Sequence, residues 1–168
     1  IGIIHQELNM MDHLTVAQNI FIGRESMHAN GMFLNEKAQN ERAAELFRRL
    51  NMSIDPIQTL GDLTVGRQQM VEIAKAVSHN LQVLILDEPT AALTDTEIDE
   101  LFNIMRGLRS RGVGMIHISH RLDEIHQIAD RVSVMRDGEL VGTSGVQETT
   151  KEKIINLMVG RVIYEEPK

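Results

Sequence analysis

The sequence predicts an α/β fold: a mainly helical lobe, then the later part of a mostly parallel sheet flanked by helices and closed by an antiparallel hairpin. Three observations carry this. From Gln82 onward, "QVLILD", "VGMIHIS" and "RVSVMRDGELVG" alternate with helical stretches that start at Asp95 and Arg121. Strands separated by helices of that length pair in parallel, with both faces covered. Asp137-Gly138 between "VSVMR" and "ELVGT" is a two-residue hairpin signal, so the sheet is expected to end in an antiparallel pair. Ahead of Gln82 the pattern is helical except for one short β-branched run, "IGIIHQ".

Taken in order, "IGIIHQ" reads as a strand leading into a loop. In "LTVAQNIFIG", Thr15 followed by Gln18 is a capping box, and Gly23 closes the short helix. Asn30-Gly31 marks a turn. A longer helix follows, with Ala43, Leu46, Phe47 and Leu50 on one face. Asp55-Pro56 breaks the chain, and another helix starts near "LTVG", with Met70, Ala74 and Val77 on one stripe. The helix from Asp95 buries Ile98, Leu101, Phe102, Met105 and Leu108, and Thr94 with Glu97 caps it by a second capping box. "TTKEKIINLMVG" ends the pattern with a capped helix. Residues 1–8 are thus expected to give a strand and loop of the sheet core, 9–80 a helical lobe, and 81–168 the α/β core.

Composition narrows the class. The chain has 168 residues, 42% hydrophobic and 24% charged, which is ordinary for a globular protein. A net charge of −7 argues against nucleic-acid binding through a basic surface. With 0 cysteines, disulfides and thiolate metal sites are excluded, and a reducing compartment is expected. No apolar run approaches the roughly 18 residues of a spanning helix, so a membrane link is expected only through a partner. The first residues "IGIIHQ" begin in mid-pattern without Met, so the chain reads as a fragment. The 10 methionines fall at helical core spacings and read as packing residues.

The chemistry is concentrated where strands are expected to end. "VLILDEPT" runs from apolar residues into Asp87 and Glu88, and Pro89 stops the strand. Adjacent carboxylates at a strand tip can hold Mg²⁺ and polarise an attacking water, which is what phosphoryl transfer requires. Exposed strand ends are often acidic, so the pair alone leaves both readings open. His120 follows the next strand, and C-terminal tips of neighbouring parallel strands line the edge where open α/β sheets bind ligands. His117, on the strand itself, reads as a packing residue. Gln6 follows what should be a third tip, where a neutral amide can ligate Mg²⁺. In "LTVGRQQ", the hydroxyl of Thr64, the open backbone of Gly66 and the start of a helix can together meet an anion, or simply cap the helix. None of the 12 glycines is followed by lysine, so no GxxxxGK[ST] phosphate loop is present, and there is no GxGxxG.

Together "HQE", "LTVGRQQMVEIAKAV", "VLILDEPTAALTDTE" and "ISHRLDE", in this order and at these separations, resemble the ATP-binding cassette (ABC) ATPases, a branch of the P-loop NTPases. "IIHQEL", "QQMVEIAKA", "AALTDTE" and "MVGR" are similar to the first of two fused cassettes in bacterial monosaccharide importers of the ribose and galactose type. The resemblance implies ATP and Mg²⁺ as ligands. It implies that Gln6 is the Q-loop glutamine, which contacts Mg²⁺ and couples to the permease. Thr64, Val65, Gly66, Arg67 and Gln68 match the signature, which caps the γ-phosphate bound by the opposing cassette. Asp87 matches the Walker B aspartate, a metal-site residue with Gln6; Glu88 matches the catalytic glutamate and His120 the switch histidine. Ala92, Leu93 and Thr94 fall on the D-loop at the interface between cassettes. Three positions depart from the family pattern: Val65 replaces a glycine, Arg67 a glutamine and Thr94 an aspartate.

The function implied is the ATP-hydrolysing subunit of a sugar importer. It would work with a second cassette, membrane permease subunits and, through them, a sugar-binding protein outside the membrane. It would lie in the cytoplasm against the inner face of the membrane. In this family the phosphate loop precedes the Q-loop, so it is expected upstream of Ile1, and this chain alone is expected to be inactive. Three other readings stand beside it: an ABC-type ATPase outside transport, a non-catalytic docking module, and a metal-dependent hydrolase using Asp87, Glu88 and His120 directly.

Overall fold

A computed structural model describes residues 1–5, 9–28 and 33–160 of the chain. These divide into two units, one before and one after the junction of Ile118 and Ser119.

The first unit is built on a parallel sheet of β1 (Gly2–Ile4), β2 (Val83–Asp87) and β3 (Gly114–Ile118), in that order. Register pairs Gly2 with Leu84 and Leu84 with Met115, then Ile4 with Leu86 and Leu86 with His117. In a pleated sheet those residues share one face. Ile4, Leu84 and Leu86 are buried there.

Four helices complete the unit. Thr15 caps α1 (Val16–Phe21), with both bonds of the expected capping box made. In α2 (Glu36–Leu50), Gln39, Ala43, Phe47 and Leu50 are buried at helical spacing, and Asn51 ends the helix at φ 57. The α3 helix (Val65–Val77) buries Met70, Val71, Ile73 and Ala74. In α4 (Asp95–Ser110) the buried stripe is Ile98, Leu101, Phe102, Met105 and Leu108, as expected, with Ile104 added. The ring of Phe102 meets His117 edge-on, with centroids 6.3 Å apart, so His117 has the packing role its strand position suggests.

The sequence reading expected both faces of this sheet to be covered. One is not. Ile3, Ile116 and Ile118 are respectively 51%, 53% and 47% exposed, and by register Ile3 and Ile116 flank Ile85. Covering a second face takes a further layer of apolar side chains.

The second unit holds α5 (Leu122–Ile128), β4 (Arg131–Arg136), β5 (Glu139–Gly145) and α6 (Lys151–Val159). β4 and β5 are antiparallel and turn at Asp137 (φ 53) and Gly138 (φ 82), the left-handed pair that a tight hairpin requires. They form a two-stranded sheet of their own, where the sequence reading put them at the end of the parallel one. Its core is Val132, Val134 and Ile154, flanked by Leu122, Ile125 and Leu157.

Candidate functional site

The chain turns sharply where β2 ends. Asp87 is the last residue of the strand, half-buried and paired in register with Ile118. Glu88 takes φ +46, in the left-handed region that β-carbon sterics disfavour in non-glycine residues. Its N–H donates to the carbonyl of Ile118 at 2.9 Å. That bond carries the parallel ladder one residue past the strand and fixes the Glu88 backbone at the sheet edge. Residues held in sparsely populated backbone regions cluster at functional sites, because the surrounding structure must hold them there.

Beyond Pro89 the chain winds through two tight turns, with Ala91 N–H donating to Glu88 and Leu93 N–H to Thr90, each at 3.2 Å. Thr90 is buried between them. Ala92, Leu93 and Thr94 lead from these turns into α4. Thr94 caps the helix: its N–H and its hydroxyl both donate to Glu97 Oε2, at 3.0 and 2.9 Å.

At the start of α3, Thr64 is the capping residue and its hydroxyl accepts from the N–H of Arg67 at 3.3 Å. The same hydroxyl donates to Glu97 Oε1 at 2.9 Å, so one carboxylate bridges the caps of α3 and α4. It also lies against Gly66, where a β-carbon would come within 2.3 Å of its carboxyl carbon. Donation from the Thr94 N–H, then from the Thr64 hydroxyl, lowers the pKa of Glu97 below the ordinary carboxylate value.

The remaining signature positions are distinct from one another. Val65 is half-exposed. The guanidinium of Arg67 donates to the carbonyl of Ser53 at 2.9 Å. The side-chain amide of Gln68 reaches back to the carbonyls of Leu60 and Leu63, at 3.2 and 3.3 Å, and ties the helix to the turn ahead of it.

Asp87, Glu88, Ala92, Leu93, Thr94 and Thr64 to Gln68 all belong to the first unit. His120 is exposed and belongs to the second. Gln6 lies outside the described residues. Among the described residues no group of three or more His, Asp or Glu side chains could hold a metal. Asp87 is still a fitting donor for Mg²⁺, which takes hard oxygen ligands and uses only one or two carboxylates beside water and substrate phosphates. A groove of about 760 Å³ in the first unit, lined in part by Phe21, Arg42, Arg49 and Arg111, includes none of the predicted site residues.

Sequence reasoning assigned Glu97 only its helix-capping bond. The contact with Thr64 joins residues 33 apart in sequence and left no local signal. It also passed over Glu72, a buried residue of α3 whose Oε2 has no hydrogen-bond partner among the described residues. Burial raises the pKa of Glu72, against the lowering effects of the Asn9 backbone, Lys75 and His5.

The family model described as "ABC transporter" matches residues 1–91, a stretch that includes Thr64 to Gln68, Asp87 and Glu88. The chain belongs to the ABC transporter family. A "Putative ribose/galactose/methyl galactoside import ATP-binding protein 2" of Burkholderia cenocepacia (strain HI2424) is 56% identical to this ABC chain over all 168 residues. The "Ribose import ATP-binding protein RbsA" of Geobacillus kaustophilus (strain HTA426) is 50% identical over 98% of the chain. The chain spans about 33% of the length of each. Among solved structures, cbiO1 from Clostridium perfringens, part of the ABC transporter complex cbiONQ, superposes with a TM-score of 0.73 at 25% identity, covering 95% of this chain and 64% of that one. The α/β fold is therefore that of an ABC ATPase cassette. No helix among the described residues is long and apolar enough to cross a membrane.

Proposed function

We propose that this chain is part of the ATP-binding, ATP-hydrolysing subunit of a monosaccharide importer of the ribose and galactose type. The names of its relatives support the transport class, and their greater length supports a role within a longer protein. The open face at Ile3, Ile116 and Ile118 agrees with that, because parallel sheets carry cover on both faces.

The observation that carries the chemistry is the tip of β2, where Glu88 is turned out of the strand at φ +46 and held by the Ile118 carbonyl. Glu88 orients and polarises the attacking water. Asp87, with Gln6, would hold Mg²⁺, and the ion when bound would neutralise charge on the phosphates. His120 contacts the γ-phosphate or the water. Thr64, with the N–H groups that open α3, meets the nucleotide held by an opposing cassette, since a helix start offers both free N–H donors and positive potential. Ala92, Leu93 and Thr94 cross between cassettes. The permease and the sugar-binding protein are the further partners, and the subunit sits against the cytoplasmic face of the membrane through the permease.

The test of the transport class is uptake into proteoliposomes by the longer protein with its permease and binding protein. ATP-dependent accumulation of a ribose- or galactose-type sugar is expected. No uptake of any monosaccharide, together with ATPase stimulation by DNA or ribosomes, would overturn it.

A further inference from the structure

The carboxylate of Glu97 lies against Thr64 and Gly66 at the start of α3. It accepts from the hydroxyl of Thr64 on one oxygen and from the N–H and hydroxyl of Thr94 on the other. Its carbon would be 2.3 Å from a β-carbon on Gly66, so only glycine leaves room for it. The open backbone at Gly66 is therefore filled, in this structure, by an acidic side chain of the same chain.

We propose that Glu97 is a positioning residue that gates the signature: its carboxylate holds the Thr64 hydroxyl and must swing aside before the phosphate of an opposing nucleotide can take that place. The inference rests on Thr64 and Gly66 meeting that phosphate. Both groups are anions competing for one hydroxyl donor and one helix start, so they exclude each other by charge as well as by volume. Thr94 shares the carboxylate, so releasing Thr64 also rearranges the first turn of α4, next to Ala92 and Leu93. Engagement of nucleotide at α3 is thereby linked to the turns leading from Glu88.

A substitution separates charge from structure here. Glutamine serves as well as glutamate at the third position of a capping box. In Glu97→Gln the amide oxygen can accept from Thr94 while the amide nitrogen faces Thr64, so the cap is kept and the charge is lost.

The experiment uses the longer protein that carries this chain, labelled on both cassettes for fluorescence energy transfer and titrated with Mg²⁺ and the non-hydrolysable analogue AMP-PNP. Glu97→Gln is expected to lower the analogue concentration for half-maximal closure by about fivefold, the order expected for removing one like charge a few ångströms away in a solvated site. Thr64→Val is expected to raise that concentration, and thermal melts check that both variants fold. If Thr64→Val raises it while Glu97→Gln leaves it unchanged or also raises it, the gate is wrong and the signature assignment stands. If neither variant shifts closure, the signature assignment fails and the gate with it.

Discussion

The N–H of Glu88 donates to the carbonyl of Ile118 at 2.9 Å, one residue past the last registered pair of β2 and β3. The bond holds a non-glycine residue at φ +46. A backbone held in that region where a carboxylate leaves the sheet persists only because the surrounding structure fixes it there.

Replacing Glu88 with glycine relieves that conformation, which costs a residue with a β-carbon about 1–2 kcal/mol. The more flexible unfolded chain takes back about 0.5–1 kcal/mol. The backbone contributions alone therefore place Glu88→Gly between no change and about 1.5 kcal/mol more stable by urea unfolding, less what its side chain contributes, while ATP turnover in the longer protein is lost. A loss of more than 1 kcal/mol would mean that the side chain, and not function, holds the turn.

Glu72 predicts a pH dependence. Its pKa is raised in the folded chain, mainly by burial, so the folded state binds its proton more tightly than the unfolded state does. The stabilisation from this group is full at acid pH and is lost as pH rises from the ordinary carboxylate range through the raised value. Glu72→Gln should remove that decline and gain on the parent toward neutral pH, as read from melting temperatures between pH 4 and 8. Parallel pH profiles would contradict it.

Phe102 anchors α4 on the sheet and is fully buried against His117. Phe102→Ala should cost about 3–5 kcal/mol, and Phe102→Leu distinctly less, because a smaller cavity remains. Chemical denaturation of the two variants measures the difference.

The open sheet face has its own signature. Ile116→Thr with Ile118→Thr should lower dye binding and self-association of this chain by itself, with little change in melting temperature. In the longer protein the same pair should cost about 1–3 kcal/mol, if a further layer covers these residues there. Equal effects in both settings would mean the face stays open.

Much of this fold was legible because its signals are local. Thr15 with Gln18 and Thr94 with Glu97 announced two helix starts, Asp137-Gly138 announced the hairpin, and the stripe from Ile98 to Leu108 announced a buried helix face. At the candidate site, "LILDEP" gave the strand tip, but nothing in it reports that Glu88 turns left-handed, because that follows from the bond to Ile118 on another strand. The bridge from Thr64 to Glu97 and the burial of Glu72 were hidden for the same reason: both depend on how α3 packs. The uncovered face was misread because strand periodicity tells which residues want cover, and not whether a neighbour supplies it.

The most direct test of the central claim is calorimetry with Mg·ATP on the longer protein, paired with a turnover assay of the same samples, for the parent and Glu88→Gln. Both are expected to bind with similar affinity, and only the parent to hydrolyse ATP. Hydrolysis by Glu88→Gln at the parental rate would contradict it, and the reacting carboxylate would then have to be sought away from the tip of β2.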